Sequence, residues 1–519
     1  MKNINKILLA SLAIALFSCN DDFKNPVEDF KVVPGQADFS KYVAVGNSLT
    51  AGYTDNALFI SGQENSYPNI LAGLMKPAGG GDFKLPLMAD NTGGFTNLGI
   101  SGKLVLQVVN GSLAPVPTAA QSPFTSIAAA GPYNNVGIPG IKSYHIAVPG
   151  YGNAANLTAG TANPYFARIA QSSNQTVLEY VSSQDPTFFS LWLGNNDVLG
   201  YATSGGVGVD QTNNLNPATY GANDISDSNI VKSSLNGVLQ ALVVGKKAKG
   251  VIANIPSVTT IPYFTTVPYA PLSPVNPSFG PMIPELNSTF ATLNMIFDAL
   301  GASNRKIVFS QTAASPVVIK DKDLEDLSSK IVSLLMANGL DQATATLYGM
   351  TYGQARQATA KDLMVLPSSS YIGTVDTARV GILMGMGLSQ EQAGKLSVAG
   401  VSYPLEDKWV LTEKEVAKAE AAIVKYNAAI SELATTYNLA FVDTYSEMKK
   451  LSSQSGIRYY GNTYTTTFVS GGAFSLDGVH LTGTGYAIVA NMFVDAINKK
   501  YNSNLRKVFP GQYPGFDIP

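Results

Sequence analysis

Four short apolar runs dictate the architecture of this chain. "YVAV" (42–45), "TFFSLWLG" (187–194), "GVIANI" (250–255) and "AFVD" (440–443) carry aromatic and β-branched residues at consecutive positions. A half-exposed strand would alternate apolar and polar residues, whereas unbroken runs of this length read as strands covered on both faces. The clearest helix falls between Thr412 and Asn438. Thr412 and Glu415 have capping-box spacing, and Ile423, Tyr426, Ile430 and Leu433 recur at three- and four-residue intervals. That helix delivers the chain straight into "LAFVD", and a last helix is predicted from about 485 to 498. Strand–helix–strand alternation with buried strands implies an α/β fold built on a central parallel sheet. Long segments near 54–133, 199–225, 257–290 and 311–405 interrupt the pattern and read as insertions; "DLEDLSSKIVSLLMANGL" is the best helix within the last of them. There is no internal repeat and no dividing linker, so one domain with insertions is expected.

The 519 residues carry a formal charge of −2 and are 45 % hydrophobic, enough for a large core. No basic stripe exists to neutralise phosphates, which argues against a nucleic-acid partner. At the N-terminus, Lys2 and Lys6 precede an apolar run from Ile7 to Phe17 that is too short to span a bilayer and suits a signal peptide over 1–18. The only cysteine, Cys19, follows at once. Its setting resembles the lipobox of bacterial lipoproteins, which implies lipidation of Cys19, a cell-envelope location in the outer membrane and a membrane partner at that anchor alone. Asp21 and Asp22 resemble surface-export signals of Bacteroidetes lipoproteins. Residues 19–38, with Pro26 and Pro34, read as a tether.

The first strand stops at Gly46-Asn47 and is followed by Ser48. Serine chemistry needs a base, and the chain holds only two histidines, His145 and His480. His480 stands three residues after Asp477, just before the terminal helix, where the carboxylate can hold the imidazole in one tautomer. No cluster of His, Cys and carboxylates suggests a metal, and no cofactor is implied.

"VAVGNSLTAGY", "LWLGNNDVL" and "LDGVHLTGTGY" together resemble three ordered blocks of the SGNH/GDSL hydrolase family. The resemblance covers a few dozen residues spread from about 41 to 498. It implies a three-layer α/β/α sandwich of flavodoxin-like type over 39–505, with 506–519 as a tail. It also implies a Ser48–His480–Asp477 triad and an oxyanion hole formed by Ser48, Asn196 and a glycine of an Asn-x-Gly-x-x-Gly block. "NVGIPG" (135–140) and "NLGISG" (97–102) both fit that block. The first is preferred, making Gly140 the donor and leaving Gly102 as the alternative. Asn47 replaces the family's aspartate. Thr50 stands where the Gly-x-Ser-x-Gly elbow of α/β-hydrolases needs glycine.

The expected activity is hydrolysis of carboxylic esters, with a lipid or an acylated glycan as substrate. A carbohydrate O-acetylesterase and a non-catalytic surface binding lipoprotein are the alternatives. Among the other candidates, Asp197 and Asp443 read as structural carboxylates, His145 as a packed histidine and Trp192 as core.

Overall fold

The computed structural model describes residues 31–109 and 112–516. Cys19, the signal peptide and the first part of the expected tether lie outside the described residues. Five parallel strands form the central sheet: β1 (Tyr42–Gly46), β2 (Asn135–Gly137), β3 (Phe188–Trp192), β4 (Lys249–Ala253) and β5 (Ala440–Val442). Their order across the sheet is β5-β4-β3-β1-β2. Every residue of β1 and β3 is buried, as their unbroken apolar runs require. The one polar side chain in β3, Ser190, is satisfied by the Tyr42 hydroxyl at 2.7 Å.

Helices flank the sheet. The principal ones are α1 (Tyr67–Met75), α2 (Asn196–Thr203), α3 (Ser228–Leu239), α4 (Ile283–Ala299), α5 (Glu413–Thr436) and α6 (Gly483–Tyr501). α1 packs on α6, and α3 on α5. The capping box at Thr412 is present, and Ile423, Tyr426, Ile430 and Leu433 are all buried against the sheet core. α6 buries residues on almost every side because α1, β4 and β5 all contact it. The tail packs as well, through reciprocal 2.9 Å bonds between the Asn491 side chain and the Val508 backbone. At the other terminus the chain is tied down from Val33, whose N–H reaches Asn504 Oδ1.

The insertions near 257–290 and 311–405 do not remain loops. Together with α4 they enclose a second hydrophobic cluster that runs from Val267 to Val410. Its partly buried Arg356 pairs with the buried Asp321 at 2.8 Å and Asp362 at 2.7 Å, the kind of partner a desolvated carboxylate needs. The expected helix in this region is realised over Ser328–Ala337.

Strand order reverses direction between β1 and β3. In open α/β sheets, ligands gather in the crevice beyond the strand C-termini at such a point. The loops after β1, β2 and β3 all emerge there.

Candidate active site

Those three loops are stitched together by the residues the sequence singled out. Gly46, which ends β1, pairs with Gly137 on one side and Trp192 on the other. Both glycines are sterically required. A Cβ on Gly46 would lie 2.1 Å from Thr50 Oγ1, and one on Gly137 would lie 2.2 Å from the Ala51 nitrogen. Asn47 then caps the short helix Ser48–Ala51 by accepting the Leu49 N–H at 3.0 Å, and its amide donates to Asn195 Oδ1 at 2.9 Å. An amide at position 47 therefore fixes the turn with no charge: it accepts locally and donates across to the β3 loop.

Ser48 is buried at the first position of that helix. Its Oγ lies 2.9 Å from His480 Nε2, and His480 Nδ1 lies 2.8 Å from Asp477 Oδ2. Asp477 can only accept when ionised, so Nδ1 carries the proton and Nε2 turns its lone pair to the serine hydroxyl. Asp477 Oδ1 accepts the backbone N–H groups of Val479 and His480, each at 2.8 Å, and the Ser475 hydroxyl at 3.1 Å. Burial alone would push this carboxyl up. The neighbouring His480 and these hydrogen bonds outweigh it and hold Asp477 well below the usual carboxylate range.

Gly140 and Asn196 meet at the adjoining loops. The Asn196 amide donates to the Ile141 carbonyl at 2.9 Å, which leaves one of its two N–H bonds for another partner. Gly140 adopts a left-handed conformation (φ 81°), and the loop is held by Asn163, whose amide donates to the Pro139 carbonyl at 2.8 Å. Among the described residues, neither the Ser48 nor the Gly140 N–H has a hydrogen-bond acceptor. Gly102 stands elsewhere, with its N–H committed to the Thr118 carbonyl at 2.9 Å. The Ile138 N–H donates to the Gly46 carbonyl at 2.9 Å, which sets the 135–140 block against the serine loop.

One contributor was not singled out from the sequence. Thr54–Ala57 form a two-residue hairpin turn with Asp55 and Asn56 at φ 49° and 59°, the φ signature of type I′. The Asn56 N–H donates to Asp477 Oδ2 at 2.8 Å, and Asp55 Oδ1 accepts the Leu476 N–H at 2.9 Å. The opening residues of the 54–133 segment thus brace the loop that carries the acid and the base. Just before them, the Tyr53 ring packs 4.7 Å from the His480 ring. Tyr165, Phe95 and Phe124 continue that apolar wall. On the other side, Tyr263 donates its N–H to the Gly478 carbonyl at 2.9 Å, so the loop is braced there too.

The remaining candidates are structural. Asp197 is fully buried and accepts the Ser143 N–H and hydroxyl at 2.8 Å each; burial pushes its carboxyl up. Asp443 accepts the Asn254 amide at 2.7 Å and caps the helix Thr444–Leu451. Trp192 is buried and donates its indole N–H to the Asn254 carbonyl at 3.0 Å. It also lines a small apolar pocket with Leu49, Phe474, Val479, Leu481 and Met492. Leu49 and Val479 are the chain neighbours of Ser48 and His480, although neither Ser48 nor His480 lines that space. Among the described residues, no group of three His, Cys, Asp or Glu could hold a metal, and no helix is long and apolar enough to cross a membrane.

No family model, curated protein or solved structure matches this chain.

Proposed function

We propose that the protein is a serine ester hydrolase with Ser48 as nucleophile, His480 as general base and Asp477 as its orienting acid. Within that class, the three blocks around Ser48, Asn196 and His480 favour an SGNH/GDSL-type enzyme with the corresponding α/β/α sandwich. The observation that carries the reading is the unbroken relay from Asp477 through His480 to Ser48, with contacts of 2.8 and 2.9 Å. It lies at the strand ends where an α/β sheet binds ligands.

In this mechanism His480 takes the Ser48 proton as Oγ attacks the ester carbonyl, and Asp477 stabilises the imidazolium. The oxyanion is met by the uncommitted N–H groups of Ser48 and Gly140 and by the second N–H of Asn196. Each such donor typically lowers the barrier by about 2.7–4 kcal/mol. The tetrahedral adduct collapses as His480 returns the proton to the leaving alkoxide, giving the alcohol and an acyl-Ser48. Water, deprotonated by His480, then attacks the acyl carbon, and the acid leaves with Ser48 reprotonated.

The Tyr53–Tyr165–Phe95 wall beside the imidazole supports an apolar acyl group, which favours lipid or small acyl esters. Hydrolysis of short- and medium-chain p-nitrophenyl esters by the wild type, absent in Ser48→Ala, is the expected result. Equal background rates in the two proteins would sink the enzymatic reading for those substrates. Acetate release from acetylated polysaccharide, set against fatty-acid release from lipid, separates a glycan deacetylase from a lipase.

A further inference from the structure

The opposite end of the sheet has a different character. Lys41 precedes β1, Lys249 opens β4 with Lys247 two residues earlier, and Lys499 and Lys500 close α6. Lys31 joins them, because the Asn504 amide beyond α6 donates to its carbonyl at 3.0 Å. Lys500 is partly buried and the other five are exposed. Among the described residues, the carboxylates near this end include Asp185, paired with Lys246 at 2.6 Å, Asp495, one turn before Lys499 and paired with Lys507 at 2.7 Å, Asp82, paired with Lys76 at 2.7 Å, and Asp38, whose Oδ1 accepts the Ser40 N–H. Lys41 adds its field to the pair that holds Asp185 low, and among the described residues no carboxylate lies within ion-pair distance of any of the six lysines, in a chain whose net charge is −2.

Three of them converge on one groove of about 870 Å³ lined by Gln36, Lys247, Lys249, Asn438, Lys500 and Tyr501, with no carboxylate in its lining. Lys249 donates to the Gln36 carbonyl, and Lys500 to Asn438 Oδ1 at 2.5 Å. Both acceptors are neutral, and beyond them Lys249 meets only the Tyr501 ring at 5.7 Å among the described residues, so neither ammonium is paired with an anion. Lys247 sits at φ 60°, a backbone state that glycine adopts at lower cost. Helix dipoles account for a lysine after the helical segment ending at Gly245 and for a pair at the end of α6. They do not account for the meeting of these cations with Lys249, from a strand, around one cleft.

We infer that this end of the sheet is a docking surface for an anionic lipid bilayer, with the Lys247–Lys249–Lys500 groove receiving a headgroup. Charge complementarity selects the partner. Lysines close to an anionic leaflet each contribute about 1 kcal/mol, or roughly fivefold in partitioning. The chain itself also enters here: Gln36 lines the groove, and the Gln36 N–H donates to the Tyr501 carbonyl at 2.7 Å. Five-residue strands then hold Ser48 about 17 Å farther from the bilayer, facing away from it. The inference does not depend on the ester-hydrolase reading.

The test uses the full chain carrying Cys19→Ser, which removes any acyl anchor, sedimented with lipid vesicles. Binding is expected to phosphatidylcholine vesicles containing phosphatidylglycerol, to weaken as salt rises, and to be absent with phosphatidylcholine alone. Lys247→Glu/Lys249→Glu/Lys500→Glu should weaken partitioning by about 100-fold or more, three lysines at roughly fivefold each. If that triple variant melts below the parent, Lys249→Gln and Lys500→Gln carry the test, at about fivefold each. Equal binding to both vesicle types, or unchanged binding by the variants, overturns the inference. So does lysine-dependent capture by heparin without vesicle binding, which would assign the surface to a soluble polyanion.

Discussion

The protein's two histidines occupy environments that differ in almost every physical respect. His480 sits between a carboxylate and a hydroxyl, each within 2.9 Å, on a loop braced from both sides. His145 lies in the turn Ser143–Ala147, stacked on Tyr151 at 4.6 Å and edge-on to Tyr144 at 4.4 Å. Its Nδ1 accepts the Lys142 N–H at 3.2 Å. Burial, with the Lys142 cation beside it, pushes the His145 imidazole down to about 4. One ring has the partners that the proposed proton transfer requires; the other is arranged to stay neutral. The difference shows that scarcity of a residue type narrows the search for a site, but only the partners decide which copy does chemistry.

The contrast is tested most severely at the reacting pair. Ser48→Ala or His480→Ala should lower kcat for a p-nitrophenyl ester by about 10⁶-fold, the loss typical when a unit of this kind is broken. Retention of even a hundredth of the activity would remove His480 from its role. Asp477→Asn keeps the shape but offers His480 the wrong partner, and a fall of about 10⁴-fold in kcat is expected.

The same aspartate leaves a signature in stability. Its folded-state affinity for protons is depressed, so its contribution is complete above the unfolded value of about 3.9 and is lost as pH falls below that. In chemical denaturation, Asp477→Asn should flatten the acid limb below about pH 4. Asn196→Ala, which removes one of the proposed oxyanion donors, should cost roughly 10²–10³-fold in kcat with little change in KM. A rise in KM alone would make Asn196 a binding residue instead.

The smallest effect on activity belongs to the other histidine. His145→Phe should leave kcat within a few-fold of wild type. The imidazole is harder to protonate folded than unfolded, so its contribution is complete above about 6.5 and disappears as pH falls towards about 4. The variant should lack that slope, at most about 3 kcal/mol across the window. An unchanged slope would mean that His145 is solvated like any surface histidine.

Much of this was legible in the sequence, for identifiable reasons. β1, β3, β4 and β5 announce themselves because buried parallel strands leave unbroken apolar runs, and α5 because its buried residues fall at helical spacing. Ser48, Asp477 and His480, which the structure brings together, were legible because the chain holds only two histidines and one of them follows an aspartate by three residues. β2 spans only Asn135–Gly137, too short to show any periodicity, and it was singled out only as the start of an Asn-x-Gly-x-x-Gly block. The second core from Val267 to Val410 was not legible as a unit, since its members come from many short elements with no shared period. Thr54–Ala57 looked like ordinary loop sequence because its contact with the acid is made by the Asn56 backbone, which leaves no trace in residue type.

That turn carries one practical consequence. Because amide 56 rather than a side chain reaches the acid, most replacements at that position will be silent in any screen that trades one side chain for another. Proline alone among the natural amino acids would delete the donor, and glycine, at ease with φ 59°, would keep it. Here a mutational scan would overlook a contact that a single imino acid exposes.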